Sequence, residues 1–278
     1  MSTLHSKIAS RLLLAGGFLS CLSLTGTAFA ADSAIPDFSA NGVAWIAASN
    51  DLIPPATGPQ PMASDPAHPY VPNGRGAQPT YRIGDLTNPI LKPWVVQAMK
   101  KDNDEVLAGK IGYTARSSCQ PGGVPGFSSF IVEPIYLIQS PKEVVMVYAG
   151  NQEARHIYMD VQHSANPKPS WYGDSVGHYE GDTLVVDTIG LNTKTFVDNY
   201  RTPHSEKLHV VERYHLINGG NMLEVNLRVE DPDAFNMAWT ASQRYRRVQQ
   251  GQLDEQVCAE NNAQVFDYHI PVADKPDF

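Results

Sequence analysis

From Phe130 to Val248, apolar and polar residues alternate in short runs, and turn residues rather than helical patterns separate the runs. Successive side chains of a strand point to opposite faces, so a period of two marks a half-buried strand. Runs at Phe130–Gln139, Glu143–Tyr148, Arg155–Asp160, Gly173–Tyr179, Asp182–Ile189, Lys207–Ile217, Met222–Glu230 and Trp239–Val248 fit this pattern. Gly150-Asn-Gln, Glu180-Gly181 and Asn218-Gly219-Gly220 sit between runs as hairpin signals. Parallel neighbours need long, usually helical crossovers, and no helical pattern separates these runs. The expected fold is mainly β: an antiparallel meander of about eight strands that removes its edges as a closed or curled barrel.

The chain before Phe130 has a different character. Lys7 and Arg11, the apolar run Leu12–Leu24 and the small-x-small end Ala28-Phe-Ala30 predict a signal peptide over residues 1–30. Its apolar run is too short to span a bilayer, so no membrane span is expected. The location expected is periplasmic or secreted. Residues 31–92 are rich in Pro and Gly, and stretches such as Leu52-Ile-Pro-Pro-Ala-Thr-Gly-Pro exclude helix and central strand. They predict an extended arm, with a possible first strand entered through Asp37–Ala47. Residues 93–278 then form a domain of one helix plus the barrel. In Pro93–Lys110, Trp94, Val95, Met99 and Val106 recur near helical spacing, while Lys100, Lys101, Asp102, Asp104 and Glu105 take the exposed side.

Charge and cysteines narrow the function classes. The whole chain carries a formal −8, and loss of residues 1–30 removes two basic groups and no acid. An acidic chain whose tight basic cluster is Arg244, Arg246 and Arg247 gives no footprint for nucleic acid. After cleavage two cysteines remain, Cys119 and Cys258, a candidate disulfide in an oxidising compartment.

Titratable residues concentrate between Trp171 and Glu212. On the run from Lys207, Leu208, Val210, Glu212 and Tyr214 share one face, and His209, Val211, Arg213 and His215 share the other. Glu212 is thus placed among apolar neighbours, as a desolvated acid–base group or as a buried partner of an arginine such as Arg244. His204 and His209 lie where a loop enters a strand, and Asp187 sits in the apolar run Leu184–Ile189. The candidate catalytic residues are His204, His209, Asp187 and Glu212, with Tyr214, Asn192, Asp174 and Trp171 as substrate-binding groups. Proton transfer between an imidazole and a carboxylate needs no cofactor, and none is predicted. A divalent metal on His204, His209 and Glu206 or Asp187 is a secondary possibility, although no HExxH spacing is present. Ser175 and Ser205 lack a nucleophile-elbow context, and no phosphate loop or dinucleotide fingerprint occurs.

The segment Trp171-Tyr-Gly-Asp-Ser-Val-Gly-His-Tyr-Glu-Gly-Asp-Thr-Leu-Val-Val-Asp-Thr, with Pro203-His-Ser-Glu-Lys-Leu-His and Val229-Glu-Asp-Pro, resembles a large group of secreted bacterial proteins. That resemblance runs from about Cys119 to Trp239-Thr and implies secretion without implying a reaction. Gly42-Val-Ala-Trp45 and the strand count also resemble lipocalin-like barrels, which implies an internal cup for a small hydrophobic molecule. The function expected is a secreted, cofactor-independent isomerase, lyase or hydrolase that uses His/carboxylate chemistry on a small hydrophobic or aromatic compound. The alternatives are a non-catalytic periplasmic carrier and, third, an interaction domain that docks partners through residues 51–80. Oligomeric state is not encoded in any pattern found.

Overall fold

The alternating runs close into one barrel. The structure is a computed structural model that describes residues 35–39, 42–49, 51–70, 82–110, 112, 114–115, 119–126, 134–150 and 153–249. The expected signal peptide, residues 71–81 of the arm and Cys258 of the expected disulfide lie outside the described residues. In chain order the elements are β1 (Val43–Ala47), α1 (Pro93–Leu107), β2 (Ile135–Gln139), β3 (Glu143–Tyr148), β4 (Glu153–Met159), β5 (Asp174–Glu180), β6 (Thr183–Ile189), β7 (His209–Ile217), β8 (Met222–Glu230) and β9 (Trp239–Gln249). Each strand pairs with the next, and β9 returns to β1, with Val43 opposite Gln249. The possible first strand therefore exists, and it closes the ring.

Nine strands have a topological consequence. Around a closed ring each antiparallel contact reverses direction, so antiparallel contacts must be even in number. One contact must then be parallel, and it lies between β4 and β5, with Tyr158 opposite Val176 and Met159 opposite Gly177. The expected antiparallel meander thus carries one parallel contact. The connection is residues 160–173, which carry no helix. Gly177 suits the junction because a Cβ there would lie 2.8 Å from Ile157 Cγ2 and 3.0 Å from Met159 Sδ.

Two apolar clusters hold the fold. Inside the barrel, Trp45, Leu137, Met146, Tyr148, Ile157, Leu184, Val186, Tyr214, Val225 and Tyr245 pack together. At one end Val210, Val229, Trp239 and Ala241 continue inward and meet Val95 and Met99 of α1, together with Met62, Ile90 and Leu91 of the arm. Burying one such side chain stabilises by roughly 1.5–3 kcal/mol. The helix starts on Pro93, whose fixed φ suits a first turn. Val95, Met99 and Val106 are buried as the spacing predicts, and Asn103 is buried too, its amide bonding both N and O of Gly84. Trp94 departs from the expected face: it is exposed and its indole N–H donates to Asp233 O at 2.7 Å.

The arm covers an edge. Strand β1 spans only Tyr245–Gln249 of β9. Beyond it, Ala48 N donates to Arg244 O at 2.7 Å, and Ile53 exchanges two backbone bonds with Ser242 at 2.8 and 2.9 Å. Backbone groups that a barrel seam would leave open are thereby paired. Arm and barrel lie in one compact unit, Ser33–Phe278. Among the described residues no helix is long and apolar enough to cross a membrane.

Candidate functional site

Strand alternation divides the expected site residues between two faces of the wall. The even positions of β7 point inward, which buries Glu212 and Tyr214, while His209 points outward. In β6 the same rule sends Thr188 in and leaves Asp187 on the outer face, partly exposed. The candidates therefore do not form one site.

The inner group is a polar layer between the two apolar clusters. Arg155 of β4 and Glu212 of β7 are both 0 % exposed and form an ion pair through Nη2 and Oε2. Arg155 Nη2 also donates to Thr188 Oγ1 at 2.9 Å and to Ser175 Oγ at 3.3 Å. The Tyr214 hydroxyl donates to Glu212 Oε1 at 2.8 Å. Burial opposes the Arg155 charge, but the adjacent Glu212 more than offsets this and raises the guanidinium pKa. Burial, and then Glu212, raises the Tyr214 phenol well above its ordinary value. Both oxygens of Glu212 and the hydroxyl of Tyr214 are thus spent on internal partners. Of the two expectations for Glu212, the buried ion pair is the one realised, with Arg155 rather than Arg244. Arg244 lies on the outward face of β9 and binds Glu224 at 2.5 Å.

The outer group is a ladder of imidazoles and carboxylates. His209 Nε2 lies 2.8 Å from Asp187 Oδ1, and His209 Nδ1 lies 2.9 Å from Glu230 Oε1. Ionised carboxylates only accept, so both ring nitrogens donate and the ring is held as an imidazolium. The Asp187 hydrogen bond, against burial, raises the pKa of His209, and His209 in turn is the first cause that lowers Asp187. The same Asp187 Oδ1 is reached by His163 Nε2 at 3.0 Å. His163 Nδ1 is 3.4 Å from Asp174 Oδ2, within ion-pair reach but without hydrogen-bond geometry. Arg228 Nη2 holds the far oxygen of Glu230 at 2.6 Å.

Next to this ladder opens a cleft of about 610 Å3, with His209, Glu230, Lys207, Asp231, Phe235 and Met237 in its lining. That volume falls within the range of small-molecule sites, roughly 300–1,000 Å3. Of the two carboxylates that hold His209, Glu230 lines the cleft with it and Asp187 does not.

The remaining candidates have structural duties. His204 is buried; its Nδ1 donates to the Ser205 carbonyl at 2.9 Å, and its Nε2 therefore accepts from the Thr195 hydroxyl at 3.0 Å. Burial lowers its pKa, which keeps the ring neutral with both nitrogens occupied. Asn192 caps a turn by accepting from Lys194 N at 3.0 Å. Asp174 accepts from Ser164 N at 2.7 Å and ties the crossover down. Trp171 is half-buried in the crossover, beside Tyr172, whose hydroxyl donates to Glu153. Among the described residues no three His, Cys, Asp or Glu side chains are placed to hold a metal ion.

Arg155, Glu230 and His163 were not among the sequence candidates. Arg155 shares the inward parity of Ile157 and Met159, so alternation alone could have found it. Glu230 stands opposite His209 across the β7–β8 hairpin, a register readable from the Asn218-Gly219-Gly220 turn. His163 lies in an aperiodic connection and carries no such signal. No known protein family, curated protein or solved structure matches the chain.

Proposed function

We propose that the protein is a secreted small-molecule enzyme in which His209 exchanges a proton with a compound held in the adjoining cleft. The observation that carries this reading is the seating of His209, held by Asp187 outside the cleft lining and by Glu230, which lines the cleft beside it. A carboxylate behind an imidazole fixes its orientation and favours its charged form. Glu230 then acts as a relay: it passes the Nδ1 proton on to a ligand that is protonated, or passes the proton of a ligand that is deprotonated back to Nδ1. Such acid–base assistance contributes on the order of 10²–10⁴ in rate. Phe235 and Met237 suit the apolar or aromatic body of the compound, and Lys207 and Asp231 its polar substituents. Isomerisation, elimination and hydrolysis all draw on this proton transfer, and the reading calls on no cofactor. Secretion and a Cys119–Cys258 bond belong to the same proposal, because the bond requires the oxidising compartment to which a signal peptide leads.

A carrier reading draws on one specific observation: both His209 nitrogens are already engaged, which suits a binding wall as well as a catalyst. Native and intact mass spectrometry of the protein purified from its compartment tests these readings. Cleavage after Ala30 and a mass two hydrogens below the reduced chain are expected. A compound retained in the cleft is then incubated with wild type and with His209→Gln. Conversion by wild type alone supports the enzyme; recovery of the compound unchanged from both makes the protein a carrier and overturns the catalytic reading.

A further inference from the structure

We propose that His163 is a positioning residue for the His209 site, acting on it through the Asp187 oxygen that the two imidazoles share. The inference rests on the acid–base reading of the cleft and extends the site to the β4–β5 crossover, from which His163 enters. His163 does not line the cleft. Its Nε2 and that of His209 approach one atom, Asp187 Oδ1, from 3.0 and 2.8 Å.

A single acceptor serving two N–H donors serves each less well than it would serve one. Each donor draws on the same negative charge, so what one ring takes from Asp187 is lost to the other. The charged groups around them are few. His209 faces Asp187 from β6 and Glu230 with Arg228 from β8, and it shares its cleft with Lys207, Lys92 and Asp231. His163 faces Asp174 from β5 and Asp187 from β6. No other titratable group links the two rings among these partners. Asp187 is thus the element through which the crossover sets how firmly the His209 proton is held.

The sign of the effect follows. With the His163 donor removed, Asp187 Oδ1 serves His209 alone and carries more uncompensated charge. The His209 imidazolium is then stabilised, and its titration midpoint rises. Replacing Asp187 by Asn removes the charge and must lower the midpoint. The coupling also works in reverse, since equilibrium linkage is reciprocal. A ligand that takes up the His209 proton strengthens the hold of Asp187 on His163, and so tightens residues 160–173 onto the wall.

The test is an NMR titration of the histidine ring protons in the mature full-length protein, with the His209 signal assigned by its loss in His209→Gln. His163→Ala is expected to raise the His209 midpoint by roughly 0.5 to 1 pH unit. His163→Gln keeps a neutral N–H donor for Asp187 and is expected to hold the midpoint near the wild-type value. Asp187→Asn is expected to lower it. If His163 only anchors the loop, His163→Ala lowers the melting temperature and leaves the midpoint in place. An unchanged or lowered midpoint in His163→Ala overturns the proposal. The titration needs no ligand, so the coupling can fail while the compound is still turned over, or hold while the compound is returned unchanged.

Discussion

At the scale of single residues the largest stake lies in Arg155 and Glu212, two opposite charges with no solvent contact. Taking both ions out of water is costly, and their mutual attraction repays that cost only while both are present. Arg155→Met is therefore expected to destabilise the protein by roughly 3–5 kcal/mol, because Glu212 is left buried and unpaired. The double variant Arg155→Met, Glu212→Leu should recover most of that loss. Urea denaturation of the wild type and the variants provides the check, and a loss below about 1 kcal/mol in the single variant would show that Glu212 is reached by water. Alternation along Leu208-His-Val-Val-Glu212-Arg-Tyr214 already places the acid indoors. Its partner is harder to name, because Arg155 comes from a strand 57 residues away. The same alternation sends His209 and Glu212 to opposite faces of the wall. No pattern shows that His204 is buried with its nitrogens engaged by Thr195 and by a neighbouring carbonyl.

Among the elements, the segment Trp171–Asp187 is explained mainly by construction. Gly173 has φ +64, and a Cβ there would stand 2.3 Å from the Ile189 carbonyl oxygen and 3.0 Å from Thr188 Cγ2. Gly219, in the β7–β8 turn, has the same φ with nothing within 4 Å of a Cβ. The pair separates conformational strain from collision. Gly219→Ala should cost about 1 kcal/mol, the left-handed penalty alone. Gly173→Ala should cost roughly 2–4 kcal/mol, since β5 and β6 must also part. Equal losses for both variants, read from denaturation midpoints, would contradict this account. Strands, hairpins and α1 were legible because period two, period 3.6 and Gly-Gly turns leave local marks. The parallel contact was not, because residues 160–173 have no period and the pairing they permit is decided by ring closure. The arm was legible as extended chain, while its duty as a cover for β9 depends on Ile53 meeting Ser242 across the fold.

For the molecule as a whole, the resemblance to lipocalin-like barrels directs attention to an internal cup. Inside this wall stand Trp45, Tyr148, Tyr214, Tyr245 and Arg155, each under 2 % exposed. The His209 cleft opens outside that packed interior, between the wall and the segment that follows β8. A barrel filled in this way offers chemistry a rigid outer face: side chains on β6, β7 and β8 keep their spacing because the ladder behind them does not move. Nine strands also leave the ring uneven. β7 and β8 are matched over nine residue pairs, whereas β4 and β5 are matched over two. Two hairpins flank that short match, β3–β4 on one side and β5–β6 on the other, and Arg155 of β4 bonds Ser175 of β5 across it from within. Native-state hydrogen exchange checks the consequence: the Asp160 amide, bonded to Gly177 O at 2.8 Å across that short match, is expected to exchange by a low-energy local opening, while the amides of Val225 and Leu227 wait for global unfolding. Water admitted by such openings would meet Arg155 and Glu212, a pair of charges that cannot be left dry and broken.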